Sequence, residues 1–218
     1  MNESRDSEKL ELDIFIGNHI RKDKEEKLRE LEDENIRVLV KERPLQALTL
    51  RSQEGIRSLR QSTDDLALDG YVELAKELEQ IPDLANIFVA TSSGTTAQAL
   101  AQYFSSKKIS INIVQTSSCH PISDALQSYD GSDEDSIASA IVDHSAHRKT
   151  TLAPLIKKSG GTGFVASNDE ILTAINMANK FANIDISPNG ALSLAGLMKA
   201  IYSGVDINGS TVCIISGQ

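Results

Sequence analysis

Residues 86 to 104 read NIFVATSSGTTAQALAQYF, an apolar run that leads directly into a small polar loop and then an alanine-rich run. Asn86 to Ala90 is predicted to be a buried strand, and Ala97 to Phe104 is predicted to be a helix. Gly94, in the loop between them, is expected to let the backbone approach a ligand closely. A loop that joins the carboxyl end of a strand to a helix lies where open α/β sheets bind their ligands.

The residues of this loop, Ser92, Ser93, Gly94, Thr95 and Thr96, have the composition of a phosphate site without lysine or arginine. The hydroxyl groups supply donors, the first helical turn supplies unpaired N–H groups, and the helix dipole favours an anion. We expect the backbone amides from Ser93 to Thr96 to converge on one point. A β-branched residue in place of Gly94 is expected to abolish anion binding without unfolding the chain. Because serine and threonine are also common helix N-caps, the loop alone leaves both interpretations open.

Short apolar runs alternate with helical patterns over most of the chain. Ser167 and Glu170 form a capping-box pair that predicts the start of one helix. Two further helical pieces are predicted over residues 137–142 and 151–158. The other predicted strands lie near residues 13–16, 36–40, 111–115, 163–166 and 211–215. The alternation predicts an α/β fold with a mostly parallel sheet flanked by helices.

The composition of the helices changes at Asp69-Gly70, with charged helices before it and helices rich in Ala, Leu and Ser after it. We therefore predict part of a second, smaller α/β lobe over residues 1–66. The large lobe, residues 67–218, is predicted to hold four strands in one sheet, and the strands near residues 13–16 and 36–40 are assigned to the small lobe.

Charge and composition exclude several classes of function. The 218 residues carry a formal charge of −9 and only 4% aromatic residues, which argues against nucleic acid and anionic membranes as partners. The N-terminal residues MNESRDSEKLELD are acidic and contain no apolar signal-peptide region. Because Cys119 and Cys213 do not form a disulfide framework, we expect a cytoplasmic protein.

The histidines suggest a metal site only weakly. His144 and His147 have the spacing of two ligands on one helix face, and Cys119 precedes His120. No third ligand follows from any recognisable spacing, so no metal is predicted.

Six segments in order, over roughly residues 12 to 217, resemble fold-type II pyridoxal-phosphate enzymes such as threonine synthase, threonine dehydratase and cysteine synthase. They are LDGYVELAKELEQIPDLANIFVATSSGTTAQAL, INIVQTSSCHPI, DSIASAIVD, GGTGFVASNDEILTAINMA, ISPNGALSLAGLMKA and TVCIISGQ. The resemblance implies a tryptophan synthase beta-like fold, with residues 92–96 as the loop that holds the phosphate of pyridoxal 5'-phosphate. It places Ser216, a position that would otherwise be an ordinary chain end, near the pyridine nitrogen of the cofactor. Such enzymes act on small amino-acid substrates by elimination and replacement.

The chain also departs from the family pattern. The family's Schiff-base lysine lies in a segment before the part resembled here, and no lysine near the start of this chain has the expected S-x-K-x-R setting. We therefore expect the C-terminal portion of a lyase or synthase, most like threonine synthase and inactive without the lysine-bearing segment. A homodimer and a partner chain that supplies this segment both stay open. The alternative is a phosphosugar-binding sensor, since a strand followed by SSGTT and a helix also resembles sugar isomerase domains.

Overall fold

The structure is a computed structural model that describes residues 10–131 and 134–216. These residues form two compact units that divide between Leu59 and Arg60. Each unit contains its own sheet, so the predicted distribution of the strands over two sheets is confirmed. The assignment of residues 1–66 and 67–218 to two lobes stays a prediction.

The first unit is a two-stranded parallel sheet with two helices. Ile16 and Val38 are its buried apolar side chains. The carboxylate of Asp13 lies 2.7 Å from Nε of Arg37 and 3.3 Å from Nη2 of Arg51. In chain order, the elements are β1 (Leu12–Gly17), α1 (Lys22–Arg29), β2 (Ile36–Lys41) and α2 (Pro44–Gln53).

The second unit is built on a four-stranded sheet in which every strand pair is parallel. In spatial order, the strands are β5 (Gly163–Ala166), β4 (Ser110–Thr116), β3 (Leu84–Ala90) and β6 (Ser210–Ile214). Short apolar strands are typical of a parallel sheet covered on both faces, and this arrangement confirms the predicted fold class. Because the strands are parallel, their carboxyl ends lie along one edge of the sheet.

Helices cover both faces of this sheet. Successive residues of a strand point to opposite faces, so Ile87 and Val89 of β3 join one core while Phe88 joins the other. Among the residues that the structure describes, no helix is long and apolar enough to cross a membrane. The helices of this unit are α3 (Val72–Glu79), α4 (Thr95–Tyr103), α5 (Pro121–Asp124), α6 (Lys149–Ser159), α7 (Asn168–Met177) and α8 (Pro188–Tyr202). The first core contains side chains of α3, α4 and α6, and the second contains side chains of α7 and α8.

Local sequence signals explain where several helices begin and end. The predicted capping box is confirmed: Ser167 Oγ accepts the Glu170 amide at 3.3 Å, and the Glu170 carboxylate accepts the Ser167 amide at 2.8 Å. Helix α6 ends at Gly160, which has a φ of +80°. Both features could be read from sequence because their partners lie within one helical turn.

The predicted helix over residues 137–142 is wrong, because these residues form an irregular loop. Backbone amides of Ile137, Ala140 and Val142 donate to side chains far along the chain instead of to helical carbonyl groups. The acceptors are the side chains of Asn168, Asn189 and Ser92, each at 3.0 Å. These tertiary hydrogen bonds satisfy the backbone without a helix.

Candidate functional site

The segment from Thr91 to Gly94 joins β3 to α4 at the carboxyl edge of the four-stranded sheet. Gly94 is the N-cap of α4 and has a φ of +93°, a conformation that glycine adopts without steric cost. The helix starts at Thr95, close to the predicted start. The chain therefore turns sharply from strand to helix, and the positive end of the α4 dipole lies at this loop.

Gly94 packs against the protein itself. A Cβ atom at this position would lie 2.8 Å from Cδ2 of Leu152 and 3.2 Å from Cδ1 of Ile122. A β-branched residue at position 94 would direct its side chain into the core, so we expect it to destabilise the fold as well as the loop. The glycine is required by the backbone conformation and by α5 and α6, whatever ligand the loop binds.

The Gly94 amide does not take part in the predicted convergence of amides. It donates to Thr91 Oγ1 at 2.9 Å, and this bond is buried. The predicted convergence of backbone amides is therefore limited to the first turn of α4. There, the amides of Thr95, Thr96 and Ala97 have no intrahelical acceptor, since the first intrahelical bond runs from Gln98 to Gly94.

The loop hydroxyl groups also form bonds within the protein. Ser92 Oγ accepts the backbone amides of Val142 and Asp143, both at 3.0 Å, and it still has its own proton to donate. Ser93 Oγ lies 3.0 Å from Thr95 Oγ1. Ser92, Ser93 and Thr96 are partly exposed, whereas Thr95 is buried. The three partly exposed residues thus form the accessible face of the loop.

A polar cavity of about 600 Å³ adjoins the loop through Val142. Burial, with Asp143 as a smaller cause, raises the pKa of the Cys119 thiol in its wall and keeps the thiol neutral. Sequence reasoning did not single out this cavity, although its first residues follow directly after β4, where a ligand is expected. It is lined by Ser118, Cys119, Asp135, Ser136, Ala138, Ser139, Ile141, Val142 and His144.

The comparison with protein families decides the identity of the chain. A family model described as "Pyridoxal-phosphate dependent enzyme" matches residues 7–217. The chain belongs to this family. Its members depend on pyridoxal phosphate, so the resemblance seen in the sequence is confirmed.

Relatives of this pyridoxal-phosphate family member include two curated threonine synthases, from Mycobacterium tuberculosis and Mycobacterium bovis. Each is 36% identical over 85 residues, which are 38% of this chain and 24% of the relative. The matched stretch thus spans about a quarter of the length of these curated relatives.

Solved structures show the same fold over a longer range. Threonine deaminase isoform 2 from Solanum lycopersicum has a TM-score of 0.72 and 18% identity, covering 94% of this chain and 62% of the deaminase. A pyridoxal 5'-phosphate-dependent aspartate racemase has a TM-score of 0.71 and 19% identity, covering 94% of this chain and 64% of the racemase. These are tryptophan synthase beta-like enzymes, and the predicted fold is therefore confirmed.

The residues at the loop fit the phosphate of the cofactor. Free amides of the α4 first turn, a φ-positive glycine and partly exposed hydroxyl groups match what a phosphate needs. Ser216 is exposed and lies two residues beyond Ile214, which pairs in register with Val89 of β3. The strand register thus brings Ser216 and the loop to the same edge of the sheet.

The described lysines lie in both units. Lys22, Lys24 and Lys27 lie on α1 in the first unit, and Lys9 lies outside the described residues. In the second unit, three lysines form ion pairs with Glu73, Glu79 and Glu170: Lys76, Lys107 and Lys199. Within residues 10–131 and 134–216, no group of three or more His, Cys, Asp or Glu side chains is arranged to hold a metal ion.

Proposed function

We propose that the first turn of α4 binds the phosphate of pyridoxal 5'-phosphate. The amides of Thr95 and Thr96 are the principal donors, the hydroxyl groups of Ser92 and Thr96 complete the site, and Ser93 lines it. The single observation that supports this proposal is the left-handed conformation of Gly94 at the N-cap of α4. Because the chain turns sharply there, α4 begins, with its free first-turn amides, at the carboxyl edge of the sheet. Because the chain belongs to a pyridoxal-phosphate-dependent family, the expected anion is the phosphate of that cofactor.

We further propose that Ser216 meets the pyridine nitrogen of the cofactor with a neutral hydroxyl group. When bound, pyridoxal phosphate withdraws electrons from the α-carbon of an amino acid, which makes elimination and replacement reactions accessible. Next to a neutral hydroxyl group the ring withdraws electrons less strongly than next to a carboxylate. A carboxylate would keep the ring nitrogen protonated, and a hydroxyl group does not. The protein's part is to hold the phosphate at one end and the ring nitrogen at the other.

The whole protein is proposed to be an amino-acid lyase or synthase of the threonine synthase kind, acting in the cytoplasm. We propose that residues 1–218 bind the cofactor but do not carry it covalently and are inactive alone. The lysine would then come from further sequence of the same protein or from a partner chain, and a homodimer is compatible with either arrangement. The 36% identity to threonine synthases supports the subfamily over the 85 matched residues only.

The phosphate site is tested by calorimetric titration of the protein with pyridoxal phosphate, with pyridoxal and with a hexose phosphate. We expect pyridoxal phosphate to bind at least about tenfold more tightly than pyridoxal, a difference of about 1.4 kcal/mol for the phosphate contacts. Equal affinities for these two ligands would contradict the proposal. Tighter binding of the hexose phosphate would instead support the alternative, a phosphosugar sensor.

A further inference from the structure

Arg148 is the most deeply buried charged side chain near the loop, and sequence reasoning did not single it out. It lies directly before α6, and its side chain is 4% exposed. Its Cβ atom lies under the loop, 3.5 Å from where a Cβ of Gly94 would be. A buried guanidinium group is costly unless its N–H groups are all satisfied, so its partners indicate what it does.

All five N–H donors of Arg148 have acceptors. Nε and Nη2 donate to the Gln61 carbonyl oxygen at 3.2 and 2.6 Å, and Nη2 also donates to the Asp64 carbonyl oxygen at 2.8 Å. Nη1 donates to Asp65 Oδ1 at 2.8 Å and to Gln98 Oε1 at 3.3 Å. The planar guanidinium group of arginine can donate to all of these acceptors at once, and the single ammonium group of lysine cannot.

The charge of Asp65 does not explain why Arg148 is buried. The Asp65 side chain is 83% exposed, so solvent screens its interaction with the guanidinium group. Most of the acceptors are uncharged oxygens, two of them on the backbone between residues 61 and 64. Arg148 therefore fixes the position of this backbone segment beside α4.

The fixed backbone segment contacts the phosphate loop. The Gln61 carbonyl oxygen, which Arg148 holds with two N–H groups, also accepts the Thr95 hydroxyl at 3.3 Å. Each hydroxyl group has one proton to donate. Because Thr95 donates its proton to Gln61, the 3.0 Å contact between Ser93 Oγ and Thr95 Oγ1 is formed by the Ser93 proton. A continuous chain of hydrogen bonds thus links Arg148 to the accessible face of the loop.

We infer that Arg148 is a positioning residue for the phosphate loop, acting through the Gln61 carbonyl group and the Thr95 hydroxyl group without touching the ligand. By holding Thr95 in one rotamer, it holds the first turn of α4, whose amides are the proposed phosphate donors. The inference rests on the proposed phosphate site. It adds that the affinity for the phosphate depends on a side chain that begins a different helix.

The test is a double-mutant cycle on the full chain, with pyridoxal phosphate and pyridoxal as probes. We expect Arg148→Lys and Thr95→Val each to weaken pyridoxal phosphate binding by roughly 10- to 100-fold. Pyridoxal binding should change less than about twofold, because the loop contacts only the phosphate. The double variant should bind about as weakly as the weaker single variant, because both changes break the same chain. Thr95→Ser, which keeps the hydroxyl group, should restore most of the affinity lost in Thr95→Val.

A purely structural role of Arg148 predicts a different pattern. Ser167→Ala removes the cap of α7 away from the loop and provides a variant of reduced stability for comparison. If Ser167→Ala weakens phosphate binding as much as Arg148→Lys does at equal loss of thermal stability, the inference is overturned. It is also overturned if the two single effects multiply in the double variant. Equal affinity of the unsubstituted protein for both probes refutes the phosphate site itself, and the two failures are thus distinguishable.

A second measurement covers the case in which Arg148→Lys does not fold. The Nε–H proton of Arg148 can be followed by nuclear magnetic resonance in the unsubstituted protein during a titration with pyridoxal phosphate. We expect its chemical shift to change on saturation and its exchange with solvent to be faster in Thr95→Val. A signal that is insensitive to both changes overturns the inference.

Discussion

Leu152 Cδ2 occupies the space beside Gly94 at the start of α4: a Cβ atom added at residue 94 would lie 2.8 Å from it. The same glycine has a φ of +93°, which L-residues rarely adopt. Gly94 thus satisfies a conformational requirement and a packing requirement at once, and the two can be separated experimentally.

We predict that Gly94→Ala lowers the free energy of unfolding by roughly 2–5 kcal/mol, from backbone strain together with overpacking. Gly160→Ala is the matched control, because Gly160 also has a positive φ of +80° but an added Cβ would only reach Ser110 Oγ at 3.5 Å. Denaturant unfolding should show a larger loss for Gly94→Ala. In the double variant with Leu152→Ala, the clash with Leu152 is removed but the backbone strain at residue 94 remains. The loss of unfolding free energy in the double variant should therefore be smaller than the sum of the two single losses. Equal losses at the two glycines would show that Leu152 makes room at no cost.

The second prediction concerns Ser92, whose hydroxyl group accepts two backbone amides of the irregular loop around residues 137–143. Ser92→Ala removes the acceptor of the Val142 and Asp143 amides. Since a hydrogen bond contributes about 0.5–1.5 kcal/mol, hydrogen exchange at these two amides should accelerate by up to about tenfold. Ser93→Ala is the control, because Ser93 makes no bond to either amide in the described structure. Unchanged exchange in Ser92→Ala would mean that this loop is held elsewhere.

The third prediction concerns the pH dependence of stability. Burial raises the pKa of the Cys213 thiol from 9.0 to about 12. Below pH 9 the thiol is neutral in both the folded and the unfolded chain, so its contribution to stability is fully present. Between pH 9 and about 12 only the unfolded chain ionises it, and stability is lost as the pH rises, by at most about 1.4 kcal/mol per pH unit.

Cys213→Ala should remove this dependence. Chemical denaturation of both proteins between pH 8 and 10.5 gives the difference in unfolding free energy directly, because the other titrating groups are shared. We expect the unsubstituted protein to lose stability more steeply above pH 9. Parallel curves would show that the Cys213 thiol is solvated in the folded state.

The fourth prediction concerns covalent attachment of the cofactor. The amino groups of Lys76, Lys107 and Lys199 form ion pairs with Glu73, Glu79 and Glu170. An exposed lysine amine, with an ordinary pKa of about 10.4, reacts weakly and unselectively. After incubation with pyridoxal phosphate and borohydride reduction, mass spectrometry should find only scattered, substoichiometric adducts. Stoichiometric modification of one defined lysine would show that residues 1–218 supply the cofactor-carrying lysine themselves.

The parts of the fold that sequence predicted correctly depend on contacts that are local or periodic. The strands follow from apolar runs, and the α7 start follows from Ser167 and Glu170, three residues apart. The prediction of a helix over residues 137–142 is wrong because the backbone amides there donate to distant side chains, including that of Ser92, some 50 residues away. No local pattern contains that information.

The candidate site shows the same limit. The SSGTT loop was recognisable because a strand, a glycine and a helix follow one another directly in the sequence. The packing of Gly94 on Leu152 and the bonds of Arg148 to Gln61 were not predictable, because they join residues brought together only by folding. A backbone carbonyl group as acceptor also leaves no trace in residue identity, so no sequence motif marks Arg148.

The central claim, an anion site at the first turn of α4, is tested most directly by Thr96→Asp with Thr96→Asn as the matched control. A carboxylate in the first turn of a helix is stabilising by roughly 0.3–1 kcal/mol, so Thr96→Asp should fold at least as well as the parent. The same carboxylate occupies the free amides and repels a phosphate. In a titration with pyridoxal phosphate, we predict that Thr96→Asp loses binding by at least about 100-fold, since it removes contacts and adds repulsion. Thr96→Asn should lose no more than about tenfold. Thr96→Asp that is stable and binds pyridoxal phosphate as tightly as Thr96→Asn would contradict the account.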